Sequence, residues 1–216
     1  MDSATCLAIA QRDGFEVTAL TVDYGQRHRV EIECARRLAR ARGVQDHRIV
    51  QVDLRAIGGS ALTSAAEVPK DRAPDQMARR IPVTYVPARN TLLLSLALGL
   101  AEVVGATAIY IGATAVDYSG YPDCRPEFLR AFQDLARLAT AQGLRGEGVE
   151  IRAPLVALSK AEIARAGAAL GIDYGLTSSC YDPDVNGLPC GRCDACQLRR
   201  KGFDEAGMVD PAQPRT

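Results

Sequence analysis

Four cysteines fall within the seventeen residues from Cys180 to Cys196, and the last three, Cys190, Cys193 and Cys196, form two overlapping CxxC steps. A CxxC step lets two thiolates reach one ion while the backbone between them turns around it, and Zn²⁺ takes four such donors as a tetrahedron. Asn186-Gly187 and Pro189 supply the tight turning that folds Cys180 back onto the others. The competing chemistries are a disulfide pair, a redox CxxC and ordinary buried cysteines. A disulfide framework needs an oxidising compartment, yet the cysteine count of seven is odd and no apolar secretory stretch opens the chain. A redox CxxC leaves two neighbouring cysteines unexplained. The spacing therefore predicts a closed, structural Zn²⁺ site that holds the tail of the chain, with Cys124 the one other candidate for fourth ligand.

Other chemistry-bearing residues are spread along the chain. Arg89 and Asn90 open an apolar helix, whose start offers a positive end and free amides to an anion, although an Asn cap alone is commonplace. Asp117, Tyr118, Ser119, Tyr121 and Asp123 lie in a loop dense in hydrogen-bonding groups and aromatic rings, which fits either a pocket for a planar polar ligand or a polar surface loop. Ser159-Lys160-Ala161-Glu162 reads as a capping box, placing Lys160 at a helix start where the dipole disfavours a cation unless an anion pairs with it. The only histidines are His28 and His47. That scarcity argues against a His-rich catalytic metal or a Ser-His-Asp relay. His47 beside a strand reads as structural, and His28 between two arginines as a solvated helix start or an anion contact.

The elements that must position these residues read as alternating helix and strand. The first ten residues open a helix capped by Asp2 or Ser3 and ended by Gly14, and residues 15–22 form a strand that delivers Asp23-Tyr24-Gly25-Gln26 at its C-terminal end. A charged helix over 29–42 and a strand over 47–52 follow. From 55 to 82 periodicity disappears into Gly, Ser, Pro and charge, as in a mobile lid or a disordered segment. The helix from Thr91 to Val104 is apolar nearly all round and should be buried between layers; a central strand over 107–112 leads to the Tyr-rich loop. A helix over 126–142 should bury Phe128, Phe132, Leu135 and Leu138, and a last strand runs over 149–155. The order predicts an α/β fold with a doubly wound parallel sheet, residues 1–176 forming a nucleotide-binding domain and 177–216 the zinc-binding segment.

Lys plus Arg equals Asp plus Glu at 26 each, so no global field draws the chain to nucleic acid or an anionic membrane. No apolar run suggests a membrane span, and the chain reads as cytoplasmic. No repeat or low-complexity tract is present.

Taken in order, Asp2-Ser3, Asp23 to Gln26, Pro87-Ala88-Arg89-Asn90, Asp117 to Arg125, Ser159 to Ile163 and the four cysteines resemble the 7-cyano-7-deazaguanine synthase family. This is the queuosine-pathway branch of the PP-loop ATP pyrophosphatases, with an adenine nucleotide alpha hydrolase-like fold. The resemblance covers Met1 to about Phe203, and the Tyr-rich loop with this Cys spacing is its specific part. It implies a cytoplasmic homodimer that converts 7-carboxy-7-deazaguanine, ammonia and Mg²⁺-ATP to the nitrile, with no stable nucleic-acid partner. By the same resemblance, Asp2, Ser3, Tyr24, Gly25, Gln26 and Asn90 bind the nucleotide. Arg89 and Lys160 are the phosphate cations, Asp117, Tyr118, Ser119, Tyr121 and Asp123 line the deazaguanine site, and Cys180, Cys190, Cys193 and Cys196 hold zinc. The alternatives are a related PP-loop ligase or tRNA thiolase, and a zinc-knuckle nucleic-acid binder using Arg192, Arg199, Arg200 and Lys201.

The family's phosphate loop reads Ser-Gly-Gly-X-Asp-Ser after a strand, and here Met1 stands at X. The expectation is that the first central strand is missing, through either a damaged copy or a start placed at an internal Met. The second case puts the functional start roughly 10 to 15 residues upstream, room for one strand and the glycine loop.

Overall fold

The computed structural model describes residues 1–73, 76–77, 81–115 and 121–212. Helix α1 spans Asp2–Arg12; β1 (Thr18–Asp23), α2 (Val30–Ala41) and β2 (Asp46–Gln51) form one βαβ unit. After a long loop come α3 (Arg89–Val104) and a second unit, β3 (Ala108–Tyr110), α4 (Pro126–Ala139) and β4 (Glu150–Arg152), with a short α5 (Ala141–Leu144) before β4. Helix α6 (Lys160–Ala169) and, beyond the cysteine segment, α7 (Asp194–Ala206) complete the chain. Both pairs, β1 with β2 and β3 with β4, are parallel, as a crossover helix between strands requires. Where one doubly wound sheet is expected, the described strands form two two-stranded sheets with no ladder joining them.

Three apolar clusters hold these pieces. One joins α1, α6 and α7 through Ile9, Ile163, Tyr174 and Phe203. Tyr174 Oη donates to Ile163 O at 2.8 Å and lies 2.8 Å from Thr5 Oγ1, so one buried hydroxyl ties two helices. A second packs α3 against α4, β3 and β4. The third gathers Val22, Tyr24, Leu62, Val68 and Val86 around the four cysteines.

Four expectations need correction. Neither Asp2 nor Ser3 caps α1: Met1 takes the cap position, and the two polar residues fall in the first turn. Helix α3 does lie between two clusters but is less completely buried than expected: Leu94, Leu98 and Ala101 face α4, β3 and β4, while Leu92, Leu93 and Leu96 are only partly buried on the cysteine side. On α4 the buried stripe is Leu129, Phe132 and Ala136, while Leu135 and Leu138 are exposed; apolar residues occur on two sides of this helix and packing selects one. The aperiodic loop, expected to be a lid or disordered, contributes to the core in its first half through Ser60, Ala61, Leu62, Thr63 and Val68, while residues 55–57 and 64–67 are exposed.

Candidate functional site

The first sequence motif folds as spaced. The thiols of Cys180, Cys190, Cys193 and Cys196 are all buried and lie within 4.8 Å of one another, a group that could hold a metal ion. Cys180 Sγ accepts from Cys190 N at 3.2 Å and Asp182 N at 3.3 Å, and Cys190 Sγ accepts from Cys193 N at 3.3 Å, the amide support expected of thiolates. Crowding separates their proton affinities. Hydrogen bonds from Cys180 and Cys196 hold the Cys193 thiol low, while the Cys193 neighbour pushes Cys180 up to about 12. Four thiolates can coexist here only around a cation, so the donor set fits a soft divalent metal. Cys124 is elsewhere, its Sγ accepting from Asn90 Nδ2 at 3.1 Å.

The cysteine segment also fastens the loop before it. Lys70 pairs with Cys193 in an antiparallel bridge, Asp71 N donates to Arg192 O at 2.9 Å, and Arg72 Nη1 donates to Asp194 Oδ2 at 2.8 Å. Lys70 Nζ also stands 2.9 Å from Asp182 Oδ2.

A second cluster forms where helices α1 and α6 start. Lys160 Nζ donates to Asp2 Oδ2 at 2.6 Å, so the cation at a disfavoured helix start does have its anion. The capping box is present, Ser159 Oγ accepting from Glu162 N and Glu162 returning the bond to Ser159 N. Helix α1 has no side-chain cap, Ser3 is exposed there, and Asp2 Oδ1 is buried without a partner among the described residues. Gly112, just past β3, touches this turn: a Cβ on it would lie 2.9 Å from Ser3 N and 3.0 Å from Asp2 C.

The third cluster centres on Arg89. Its Nη1 donates to Tyr24 Oη at 3.4 Å, and its guanidinium lies 5.9 Å from that ring's centroid. Tyr121 Oη lies 3.3 Å from both Thr84 Oγ1 and Tyr181 Oη, and its ring packs 5.6 Å from that of Tyr85. Burial raises the Tyr24 and Tyr181 hydroxyls, so at neutral pH they are donors and not bases. Gly25 takes φ +81°, the left-handed turn that brings Gln26 back so that its Oε1 accepts from Tyr24 N at 2.8 Å.

Asn90 and Asp123 are engaged with each other. Asp123 Oδ2 accepts from Asn90 N at 2.8 Å, and Asn90 Nδ2 donates to Asp123 O at 2.9 Å, which caps α3 from a distant loop. No local sequence pattern signals that long-range cap. Burial and the Asp123 carboxylate push the Cys124 thiol up to about 11 against the pull of Arg89 and Lys160. Both cations thus act electrostatically on this one thiol. Asp117, Tyr118 and Ser119 lie outside the described residues.

His47 is structural as expected, its Nε2 2.9 Å from Thr21 Oγ1 across the β1–β2 pair. His28, expected to be solvated or anion-facing, is buried beside Glu31. The cations that would serve a nucleic-acid surface are in use within the chain. Arg199 is buried against Asp210, Thr177 and Tyr174, Arg192 pairs with Asp71, Arg200 donates to Gly191 O and Lys201 approaches Glu205. Among the described residues no helix is long and apolar enough to cross a membrane.

Comparison with known proteins assigns the chain a family. The family described as "Queuosine biosynthesis protein QueC" matches residues 1–207. The 7-cyano-7-deazaguanine synthase of Myxococcus xanthus (strain DK1622) is 63% identical over 213 residues, covering 99% of this chain and 93% of the relative. That of Anaeromyxobacter dehalogenans (strain 2CP-C) is 62% identical over 214 residues, 99% of this chain and 91% of the relative. That of Solidesulfovibrio magneticus (strain ATCC 700980 / DSM 13731 / RS-1) is 59% identical over 216 residues, 100% of this chain and 92% of the relative. A match spanning all three clusters shows that the chain belongs to the QueC family of queuosine biosynthesis proteins.

Proposed function

We propose that the protein is an ATP-dependent enzyme that converts 7-carboxy-7-deazaguanine and ammonia to 7-cyano-7-deazaguanine in queuosine biosynthesis. The observation that carries this reading is the presence of two unlike halves. Lys160, Asp2 and the uncapped start of α1 lie beside Gly112's bare backbone, and Arg89 stands at a wall of tyrosines, with both cations acting on the Cys124 thiol.

A carboxylate is a poor electrophile, and its activation requires attack on the α-phosphorus of ATP with release of diphosphate. The protein's part is to neutralise and hold phosphate charge, which Lys160, Arg89 and the amides of α1 are suited to do. Ser3 and the turn Tyr24-Gly25-Gln26 border the nucleotide in this reading, and Asn90 sets the α3 start that carries Arg89. The acceptor left open on Asp2 fits Mg²⁺ carried in with ATP, which when bound would neutralise phosphate charge. Ammonia displaces AMP from the acyl adenylate to give the amide, and a second adenylation, on the amide oxygen, turns that oxygen into a leaving group and yields the nitrile. Tyr121, with Asp117, Tyr118, Ser119 and Asp123, would take the deazaguanine, tyrosines stacking on the ring and a carboxylate meeting its N–H edge.

The four cysteines would hold structural Zn²⁺, with residues 177–216 as the metal-bound segment and residues 1–176 as the doubly wound PP-loop domain. The enzyme would work in the cytoplasm as a homodimer. Mass spectrometry after incubation with the carboxylate, ammonium and Mg²⁺-ATP should find the nitrile and AMP. ATP consumption without either product would overturn the reading.

A further inference from the structure

The turn after β1 carries a hydrogen-bond chain that runs from the residues bordering the nucleotide back to His28. His28 is only 5% exposed, although its neighbours in sequence are Arg27 and Arg29. Its Nε2 stands 3.1 Å from Glu31 Oε2, Glu31 Oε1 accepts from Gln26 Nε2 at 2.7 Å, and Gln26 holds the Tyr24 amide. His28 Nδ1, in contrast, is buried with no hydrogen-bond partner among the described residues. A network whose only task was to lock this turn would close on itself, because a bare buried polar atom costs roughly 1 to 3 kcal/mol. With Nε2–H donating to the carboxylate, Nδ1 is left as an unfilled acceptor.

The surroundings suit a base. Tyr181, from the cysteine segment, sets its ring 6.1 Å from that of His28, and Arg89 and Tyr24 act electrostatically on Glu31 from the neighbouring cluster. Burial works to raise the Glu31 carboxyl, but the hydrogen bonds from His28 and Gln26 and the nearby Arg89 charge hold it below its ordinary range. The Glu31 side chain is 35% exposed, which opens the pair to solvent on the carboxylate side. A carboxylate that fixes the tautomer and stabilises the imidazolium is the arrangement that makes histidine an effective base.

We propose that His28, oriented by Glu31, receives the proton that the nitrogen nucleophile sheds before it attacks the activated carboxyl carbon. This rests on the reading above, in which ammonia is the nitrogen donor. Ammonium, the prevailing form at neutral pH, has no lone pair to attack with. Transfer of one proton to His28 Nδ1 leaves ammonia, whose lone pair forms the C–N bond. The C–O bond to the adenylate then breaks, AMP departs with the bonding pair, and the added nitrogen loses its surplus proton. His28 returns its own proton to solvent.

The test uses the full chain with His28→Gln and Glu31→Gln. Carboxylate-dependent exchange of labelled diphosphate into ATP, without a nitrogen donor, reports adenylation alone. Product formation is compared with ammonium and with hydroxylamine, whose conjugate acid is acidic enough for it to be unprotonated at neutral pH. His28→Gln should keep exchange within a few-fold and lose about 10²-fold or more in kcat/KM for ammonium, with most of that loss absent for hydroxylamine. Its ammonium rate should also climb more steeply with pH than that of the unsubstituted protein. Glu31→Gln should fall in the same direction by about tenfold, and it carries the test if the histidine variant does not fold. Equal losses with both nucleophiles, a matching loss of exchange, or no loss would overturn the proposal. No exchange in the unsubstituted protein would instead overturn the adenylation reading, and the proposal with it.

Discussion

At the start of α1 the contacts are made by backbone: Gly112 lies against the amides of the first turn, and one ion pair, Lys160 with Asp2, crosses it. Around Arg89 the contacts are made by side-chain tips, the hydroxyls of Tyr24, Tyr121, Tyr181 and Thr84. The cysteine segment supports this second region from behind through Tyr181. A backbone seat suits a ligand part that never varies in shape and tolerates no added atom. A wall of side chains suits a part that must be told from look-alikes and can absorb small edits. The two regions should therefore respond differently to substitution.

The largest effect is expected at the backbone seat. Gly112→Ala sets a Cβ against the backbone of Asp2 and Ser3, which cannot yield as a side-chain tip can, and should lower turnover by about 10³-fold with the metal still bound. Lys160→Met should cost about 10²- to 10³-fold in carboxylate-dependent diphosphate exchange. If either variant turned over normally, the α1 start would not be the phosphate seat.

Next comes the support of the tyrosine wall. Cys193→Ser should abolish metal content by elemental analysis and destabilise the fold by about 4 kcal/mol or more. Proteolytic nicks should then concentrate in residues 60–73, because Lys70, Asp71 and Arg72 lose their anchor. Nicks spread evenly over the chain would mean the two segments are not coupled.

Smaller again is Asp123→Asn, which keeps the shape but weakens the charge-assisted cap on α3. About 1 kcal/mol, or roughly 2 to 4 °C in Tm, should be lost. A drop in activity no larger than that stability loss explains would remove Asp123 from the deazaguanine site. Smallest is Tyr121→Phe, whose hydroxyl lies 3.3 Å from both Thr84 Oγ1 and Tyr181 Oη; a change of roughly twofold in KM for the deazaguanine acid is expected, read from initial rates.

What could be read from sequence was local. Two CxxC steps and a turn suffice for the thiol cluster, and the Ser159–Glu162 box and the glycine after α1 depend on residues within one turn of each other. What could not be read was long-range. Lys160 meets Asp2 across 158 positions and Asp123 caps Asn90 across 33, and no periodicity encodes either partner. Helix α4 shows why its face was misjudged: Leu135 and Leu138 are as apolar as Leu129 and Phe132, and only contact with α3 and β4 separates them. His28 sits among arginines, so nothing nearby announced its burial; Glu31, three residues on, was the available hint.

The clasp between residues 70–72 and 192–194 also has a bearing on how the molecule is made. Arg72 and Asp194 are 122 positions apart, and the cysteines that hold the later strip in place are among the last parts of the fold to be synthesised. A nascent chain can form both βαβ units and the α3 helix early, from neighbours already present. It cannot fix the loop over Tyr24 or bring Tyr181 to Tyr121 until Cys196 has left the ribosome and the thiols have closed. The site is thus completed by the end of the chain, and a protein interrupted before that point would keep most of its helices while lacking one side of its pocket.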